Sequence, residues 1–536
     1  MRTYRSEVLV AGAGIAGIAA ALELLDSGKS VVLMDRDEPE LLGGLARESF
    51  GGMFFVDSPE QRRQGIRDST ELAFHDWCSF AQFGATDLLP RAWAKAYVER
   101  CIPDVYQWVR QYGIRFMPMV NWVERGEFVP GNSVPRFHMV WGTGKELAEK
   151  LIAALRRHPH AGRLTLLFRH RVERLLSSNG RIDGVQGVQE PGSIPFESHA
   201  EHVVVAAGGI NGDLERVRRH WHAGWNRPPA TLLNGSHRYA DGILHDAVEQ
   251  IGGQLTHLDK MWNYAAGVHH PRPRKPHHGL SLVPPRSALW LDWRGQRIGP
   301  QPLVSGFDTR RLVADICARE RQYSWQVLNW RIALKELAVS GAEFNPSIRD
   351  KKVFAFLRDI LFGNRWLVEE LTTHCPDFVV GQTLPELVEK MNTLQGDQSV
   401  DLAEVEDAVT RYDATIARGS KLMNDEQLRR IGELRRYRGD RVRLCKFQRI
   451  LDRDAMPLIA IREFIASRKS LGGIQTDLHS RVVDASGQPI GGLYAIGEAA
   501  GFGGGGMHGL RALEGTFLGG CIFSARMAAR TITAPA

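Results

Sequence analysis

The chain predicts an α/β fold of the Rossmann type, with one nucleotide-binding domain assembled from both chain ends and an α+β unit inserted between them. Three observations carry that expectation. A strand, glycine turn, helix, strand and acid stand in register at the start, in "SEVLVAGAGIAGIAAALELLDSGKSVVLMDRD". Strand-and-glycine texture returns near the end, in "SLGGIQTDLHSRVVDASGQPIGGLYAIGEAAGFGGGGMHG". Between them runs a long stretch with helical patterning.

The first unit reads from its residues. Val8, Leu9 and Val10 form a short apolar run expected as a buried strand, and residues 18–25 follow as a helix. Gly12, Gly14 and Gly17 stand at the G-x-G-x-x-G spacing. The first allows a tight turn, the second lets a pyrophosphate approach the backbone, and the third lets helix and strand pack closely. The helix N-terminus would hold the phosphates. "SVVLMD" is the second strand, and Asp35 ends it where a carboxylate reaches ribose hydroxyls.

Further elements follow in order. "LLGGLARESFGG" (41–52) is a glycine-rich loop, and "LTLLFRHRVERLLSSNGRIDGVQGV" reads as a strand and then a hairpin around Asn179-Gly180. "AEHVVVAAGGINGD" is a buried strand ending in Gly208-Gly209, and "ADGILHDAVEQIGGQL" is a helix. The Pro- and His-rich "HHPRPRKPHHG" reads as a domain crossing. Helices are expected at 312–340, 350–372 and 401–418. "HSRVVDASGQPI" is a second hairpin, and a last helix runs from about Thr516 to Arg530. The domains expected are 1–262 and 456–536 for the nucleotide, with 263–455 as the cap.

Composition narrows the function classes. The 536 residues carry 43% hydrophobic and 24% charged side chains, which is ordinary for a globular protein with a sizeable core. No apolar run is long enough to span a bilayer, so no integral membrane association is expected. The six cysteines lack CxxC spacing, which speaks for a reducing compartment and against zinc or Fe–S sites; a cytoplasmic protein is expected. Much of the net charge of +7 lies in "RRIGELRRYRGDRVRLCKFQR", read as a solvated helical face plus linker, the alternatives being a docking patch for an electron carrier or membrane surface, or attraction of an anionic substrate. No nucleic-acid module accompanies it. Only one dinucleotide fingerprint is present. A single cofactor at the N-terminus, with the C-terminus folding back, points to FAD rather than a nicotinamide.

On these motifs the sequence resembles the fumarate reductase/succinate dehydrogenase flavoprotein superfamily, which includes 3-ketosteroid dehydrogenases. It is most similar to a bacterial group of predicted FAD-binding dehydrogenases. The telling stretches are "SFGGMFFVDSPEQRR", "GNSVPRFHMVWGTG", "DKMWNY", "GFDT", "RKSLGG" and "GEAAGFGGGGMHGLRALEGTFLGG". The resemblance implies a glutathione-reductase-like FAD-binding domain, a mobile cap and redox chemistry across a C–C bond next to a carbonyl. It places the pyrophosphate on Gly12, Ala13, Gly14, Ile15, Ala16 and Gly17, and the adenosine ribose on Asp35 and Arg36. Gly43, Gly44, Ser49, Gly51 and Gly52 match the loop that runs along the flavin. Val172 falls where the family contacts adenine, and Ala207, Gly208 and Gly209 match a conserved turn of the family. The Glu498 carboxylate, after Gly497, binds ribityl or ribose hydroxyls. Gly505, within the glycine run 503–506, lies near the flavin, as do Gly515 and Thr516 at the last helix's N-terminus. No histidine stands where membrane-bound relatives carry covalent FAD, so the FAD is expected to be noncovalent.

Two departures bear on substrate. Soluble fumarate reductases carry "HTMGG" where this chain has "RKSLGG", and their R-F-x-N-E motif has no glutamate counterpart here; Arg310 or Arg311 loosely matches their proton donor. Ketosteroid dehydrogenases place tyrosines where this chain reads "MPLIAIREF".

Removing two hydrogens from a CH–CH unit beside a carbonyl needs a group to polarise the carbonyl, a base for the α-proton and a hydride acceptor, here flavin N5. His508 is the first candidate base, with Glu514 second. Arg511 and Lys469 are candidate polarising cations, joined by Arg468. Tyr264 is a candidate phenolic acid or base. His138 reads as a core histidine. His269, His270, His277 and His278 lack a ligand framework, and no metal site is expected. The partners implied are a small carbonyl substrate and an electron acceptor that the motifs do not name; they do not specify an oligomeric state. Alternative readings are a flavoprotein isomerase or hydratase without net redox, and a flavin monooxygenase.

Overall fold

The computed structural model describes residues 1–534, and these fall into two compact units. The first comprises Met1–His220, Ser236–Trp262 and Arg468 onward; the second comprises Trp221–Gly235 and Asn263–Ser467.

The first unit is built on a parallel sheet. The first strand, Arg2–Ala11, lies between Val31–Met34 and Ile194–Val205, with Val8 opposite Val31 on one side and His202 on the other. Leu164–Leu167 extends the sheet beyond Val31–Met34, and Pro489–Ala495 extends it beyond Ile194–Val205. The C-terminal segment thus enters the same sheet as the N-terminal strand. Val8, Leu9, Val10, Val31, Leu33, Val203 and Val204 are all buried, as expected for a parallel sheet covered on both faces. The helices Ile15–Asp26 and Thr516–Thr533 pack against each other. His170–Ser178 and Arg181–Gln189 form the expected hairpin, with Asn179 (φ 50°) and Gly180 (φ 71°) both left-handed at its turn. Arg481–Val483 and Pro489–Ala495 form the second expected hairpin.

The second unit has its own sheet. Leu458–Ser470 is its longest strand, and Ser324–Asn329, Phe378–Gly381 and Leu232–Asn234 pair with it. Helices Leu384–Gln395, Leu402–Ala417 and Glu426–Leu434 belong to the same unit.

The structure departs from the sequence reading in four places. The helix expected over 312–340 is helix Thr309–Cys317, strand Ser324–Asn329 and helix Trp330–Glu336. "SWQVLN" is buried throughout and pairs with Leu458–Glu463, so sheet pairing overrides helical periodicity. The helix expected over 350–372 breaks at Gly363 (φ 90°), where a Cβ would crowd the Leu334 carbonyl. "HHPRPRKPHHG" is no domain crossing; it joins strand Met261–His269 to its antiparallel neighbour Gly279–Val283. Residues 221–235 and 456–467 pack with the second unit, because Leu232–Asn234 runs parallel to Ile465–Ser467.

Candidate active site

The glycine turn is the best-defined part of the first unit. Gly12 has φ 115°, and its N–H donates to the Met34 carbonyl at 2.7 Å. A Cβ on Gly12 would strike the Ala206 carbonyl, and one on Gly17 would strike the Gly12 carbonyl. Gly14 differs, because nothing lies within 4 Å of where its Cβ would stand. It is also the N-cap of helix Ile15–Asp26, with no side chain capping the first turn. Ile15, Ala16 and Gly17 therefore open a helix whose first N–H groups have no intrahelical acceptors. An open, side-chain-free approach to a helix N-terminus is what a pyrophosphate requires.

Asp35 lies beside this turn. Its Oδ2 accepts the Ala13 N–H at 2.6 Å and its Oδ1 accepts the Asp37 N–H at 2.7 Å. The carboxylate thus fixes the glycine turn itself, and each oxygen keeps a second lone pair for a hydroxyl donor. Arg36 is bound to Glu190 at 2.9 Å and Asp241 at 2.8 Å, over the Tyr239 ring at 4.2 Å. The ordering of this arginine comes from protein carboxylates.

The loop 41–52 divides in two. Gly43 (φ 102°) and Gly44 (φ 57°) approach the turn, and Gly43 N–H donates to the Ala13 carbonyl at 3.0 Å. Ser49, Gly51 and Gly52 face protein. Ser49 Oγ donates to the Ala46 carbonyl at 2.8 Å, and Cβ atoms on Gly51 and Gly52 would meet Gly144 and the Phe137 ring. Val172 is buried at a register shift in the His170–Ser178 ladder.

A second cluster joins three distant segments. Ser470 Oγ donates to Asn211 Oδ1 at 2.6 Å and accepts the Ile210 N–H at 2.9 Å. Its own N–H donates to Glu498 Oε1 at 2.9 Å. A Cβ on Gly209 would overlap Ser470 Oγ and Glu498 Oε1, so the turn Ala207-Gly208-Gly209 requires glycine there. Gly497 (φ 62°) donates its N–H to Ser524 Oγ at 2.9 Å. Burial raises the Glu498 pKa, against the pull of the Ser470 N–H and the Lys469 charge.

Lys469, the neighbour of Ser470, holds its Nζ 4.0 Å from the centroid of the Phe517 ring. Part of its surface stays open, yet protein crowds its ammonium. Burial and then Arg468 push its pKa down, while Glu514 and Glu498 pull it up. Glu514, half-buried, is therefore within electrostatic reach of Lys469.

His508 lies deep within the first unit. It is 0% exposed, stacked on Trp77 at 5.7 Å and packed against Phe502 and Phe517, each at 5.1 Å. Burial and then the Lys469 charge push its pKa down to about 3. The imidazole is enclosed by aromatic rings, and neither of its ring nitrogens has a hydrogen-bond partner among the described residues. Cβ positions on Gly503 and Gly504 run into Trp93 and one on Gly505 into Thr256, so these glycines admit protein side chains. Gly515 (φ 97°) fits against Met53 and Phe54, and Thr516 Oγ1 donates to the Leu513 carbonyl at 2.6 Å. Gly515 caps the last helix without a side-chain bond.

Arg511 hydrogen-bonds Gln82 and lies 5.8 Å from the Phe80 ring centroid. Tyr264 and Arg310 belong to the second unit, where Arg310 lies over Trp225 at 5.0 Å. His138 is a core histidine, bonded to Ser58 Oγ at 2.6 Å and the Arg136 carbonyl at 2.7 Å. His269 pairs with Asp377 and His270 with Glu343. Phe517, Trp77, Ser470 and Asn211 were missed in the sequence. The "EGTFLGG" motif contains Phe517, but nothing local marks that ring as the neighbour of Lys469.

This cradle fits FAD. Gly14 leaves room at a helix N-terminus, Asp35 stands at the end of the second strand, and Glu498 is a half-buried carboxylate beside a glycine turn. Together with the fold they define an FAD-dependent oxidoreductase. The chain belongs to the family described as "FAD binding domain", matched over residues 7–518. It is 43% identical over 531 residues to the "KsdD-like steroid dehydrogenase" of Mycolicibacterium smegmatis, covering 96% of each chain. Among solved structures it resembles the 3-ketosteroid delta1-dehydrogenase of Sterolibacterium denitrificans in complex with 1,4-androstadiene-3,17-dione. There the TM-score is 0.70 at 16% identity, over 99% of each chain. A flavocytochrome c3 fumarate reductase in its open conformation gives the same TM-score at 19% identity, over 99% of this chain and 78% of that one. The protein is a dehydrogenase or reductase acting on a CH–CH unit adjacent to a carbonyl.

Proposed function

We propose that the protein desaturates a 3-keto steroid, or another fused-ring ketone of similar apolar character, next to the carbonyl, or runs the reverse reduction. The observation that carries this reading is the 43% identity across 96% of both chains with a KsdD-like steroid dehydrogenase. FAD, when bound, supplies the hydride acceptor or donor. The chain supplies the rest. Lys469 donates to the carbonyl oxygen as negative charge develops there, an interaction of the oxyanion-hole kind, typically about 3–4 kcal/mol. Its pKa, lowered to about 8, still lies above neutral pH, so the group stays largely protonated there while releasing a proton more readily than an ordinary lysine. Glu514, within reach of the Lys469 charge, is the candidate base for the α-proton. We place the protein in the cytoplasm, on the scattered cysteines.

The test uses the purified holoprotein with an artificial electron acceptor and a panel of 3-keto steroids, with fumarate and reduced viologen as the contrast. Steroid-dependent acceptor reduction supports the reading. Fumarate reduction with no steroid turnover overturns it. Anaerobic steroid addition separates dehydrogenation from isomerisation, since only dehydrogenation leaves reduced, bleached flavin.

A further inference from the structure

The helix Val353–Phe362 is unusual among the described residues in having no buried residue, although its sequence is VFAFLRDILF. Phe354 is 89% exposed, Phe362 79%, Leu361 67% and Leu357 47%. With Val353 they form one outward face, since these positions fall within about half a helical turn of each other at 3.6 residues per turn. Trp366, exposed at the start of the next helix Arg365–His374, continues the patch. The helix is anchored from behind: the Ile360 carbonyl accepts Lys335 Nζ at 3.0 Å, and the Asn364 N–H donates to the Leu334 carbonyl at 2.9 Å.

We propose that this face docks the protein on the surface of a bilayer containing anionic phospholipids. Charge supports that occupant. Between 349 and 365 stand five cationic side chains (Arg349, Lys351, Lys352, Arg358, Arg365) and two acidic ones (Asp350, Asp359). Large apolar groups flanked by Lys and Arg, with a tryptophan alongside, are the makeup of a helix that lies in the lipid interface. Ten residues rise only about 15 Å, half a hydrocarbon core of about 30 Å, and no described helix is long and apolar enough to cross a membrane. The helix therefore lies on the surface and does not span. Contiguous exposed apolar patches of this kind mark interaction sites. The proposal is independent of which ketone is the substrate.

The experiment is co-sedimentation of the full-length holoprotein with vesicles of phosphatidylcholine alone and of phosphatidylcholine mixed with phosphatidylglycerol. Binding to the mixed vesicles, weakened by salt, is expected. The combined variant Phe354→Glu, Leu361→Glu and Phe362→Glu should cut the bound fraction about tenfold or more while flavin content and turnover stay unchanged. Lys351→Glu with Lys352→Glu should abolish the preference for phosphatidylglycerol. Failure of the wild type to pellet, or equal pelleting of the triple variant, overturns the proposal. So does a concentration-dependent dimer in sedimentation velocity that the triple variant abolishes, because the face would then belong to a second copy.

Discussion

Lys469 Nζ sits 4.0 Å from the centroid of the Phe517 ring, and the same ring touches the His508 imidazole at 5.1 Å. The cation and the imidazole thus share one aromatic neighbour. Only one of the two carries charge. Burial drives both pKa values down, and the Lys469 charge drives His508 further, to about 3. The ring face stabilises the ammonium by roughly 0.5–2 kcal/mol. Lys469 is therefore the protonated group of this cluster, and His508 is its neutral support.

Lys469→Met keeps most of the side-chain volume and removes the charge. We expect turnover of a 3-keto steroid with an artificial acceptor to fall about a hundredfold or more, with flavin content unchanged. Lys469→Arg should recover part of it. In the wild type, activity should fall on the alkaline side at a pH below the ordinary lysine value of about 10.4, because the depressed pKa loses its proton earlier. A loss of less than about tenfold, or ~1.4 kcal/mol, in Lys469→Met would remove this residue from the chemistry.

FAD should be held without a covalent bond. Acid precipitation is expected to release the yellow flavin into the supernatant; flavin left on the pellet would contradict this. Gly14→Val should purify without flavin, since its side chain fills the one position in the turn with nothing within 4 Å. Asp35→Ala should weaken FAD by about 1–3 kcal/mol, through loss of its bond to Ala13 N–H as well as any bond to the ribose.

What was legible in the sequence was local or periodic. The turn Gly12–Gly17 and Asp35 could be read because spacing along a strand and a helix fixes their positions in space. The two hairpins could be read because Asn179-Gly180 and "DASGQP" carry their turn chemistry. Ser324–Asn329 could not, because its strand state depends on pairing with residues 458–463, more than a hundred positions away. The same limit hid the side-chain neighbours of the site. His508 looks like a catalytic base beside a glycine run; only packing against Trp77, Phe502 and Phe517 shows it enclosed. Ser470 stands in "RKSLGG", but nothing local shows that it ties Asn211 to the segment that bears Lys469.

Gly209→Ala tests that tie. The new methyl would overlap Ser470 Oγ and Glu498 Oε1, neither of which is the loose end of an exposed chain. Overpacking of this kind typically costs about 1–3 kcal/mol. We expect a lower thermal midpoint and reduced flavin content, with Gly209→Ala/Ser470→Ala recovering part of the stability. A single variant with wild-type midpoint and full flavin would show that the Ser470–Glu498 contact is not needed.

Acid should destabilise the protein through its buried histidines. His138 and His245 are held at about 4 and His508 at about 3, each chiefly by burial. Unfolded, each returns to about 6.5. Between pH 6.5 and pH 4 the unfolded chain therefore binds more protons at these three sites, and stability falls as pH falls. Each contributes up to about 1.4 kcal/mol per pH unit. Glu498 works the other way in this window, because its pKa is raised on folding and the folded state takes up its proton first. The test is differential: urea midpoints measured across this range should show that His245→Gln lessens the pH dependence by about one proton, roughly 1.4 kcal/mol per pH unit, while leaving it unchanged above pH 7. A slope equal in the two proteins would mean that His245 is already protonated in the folded state, and its burial would have to be redrawn.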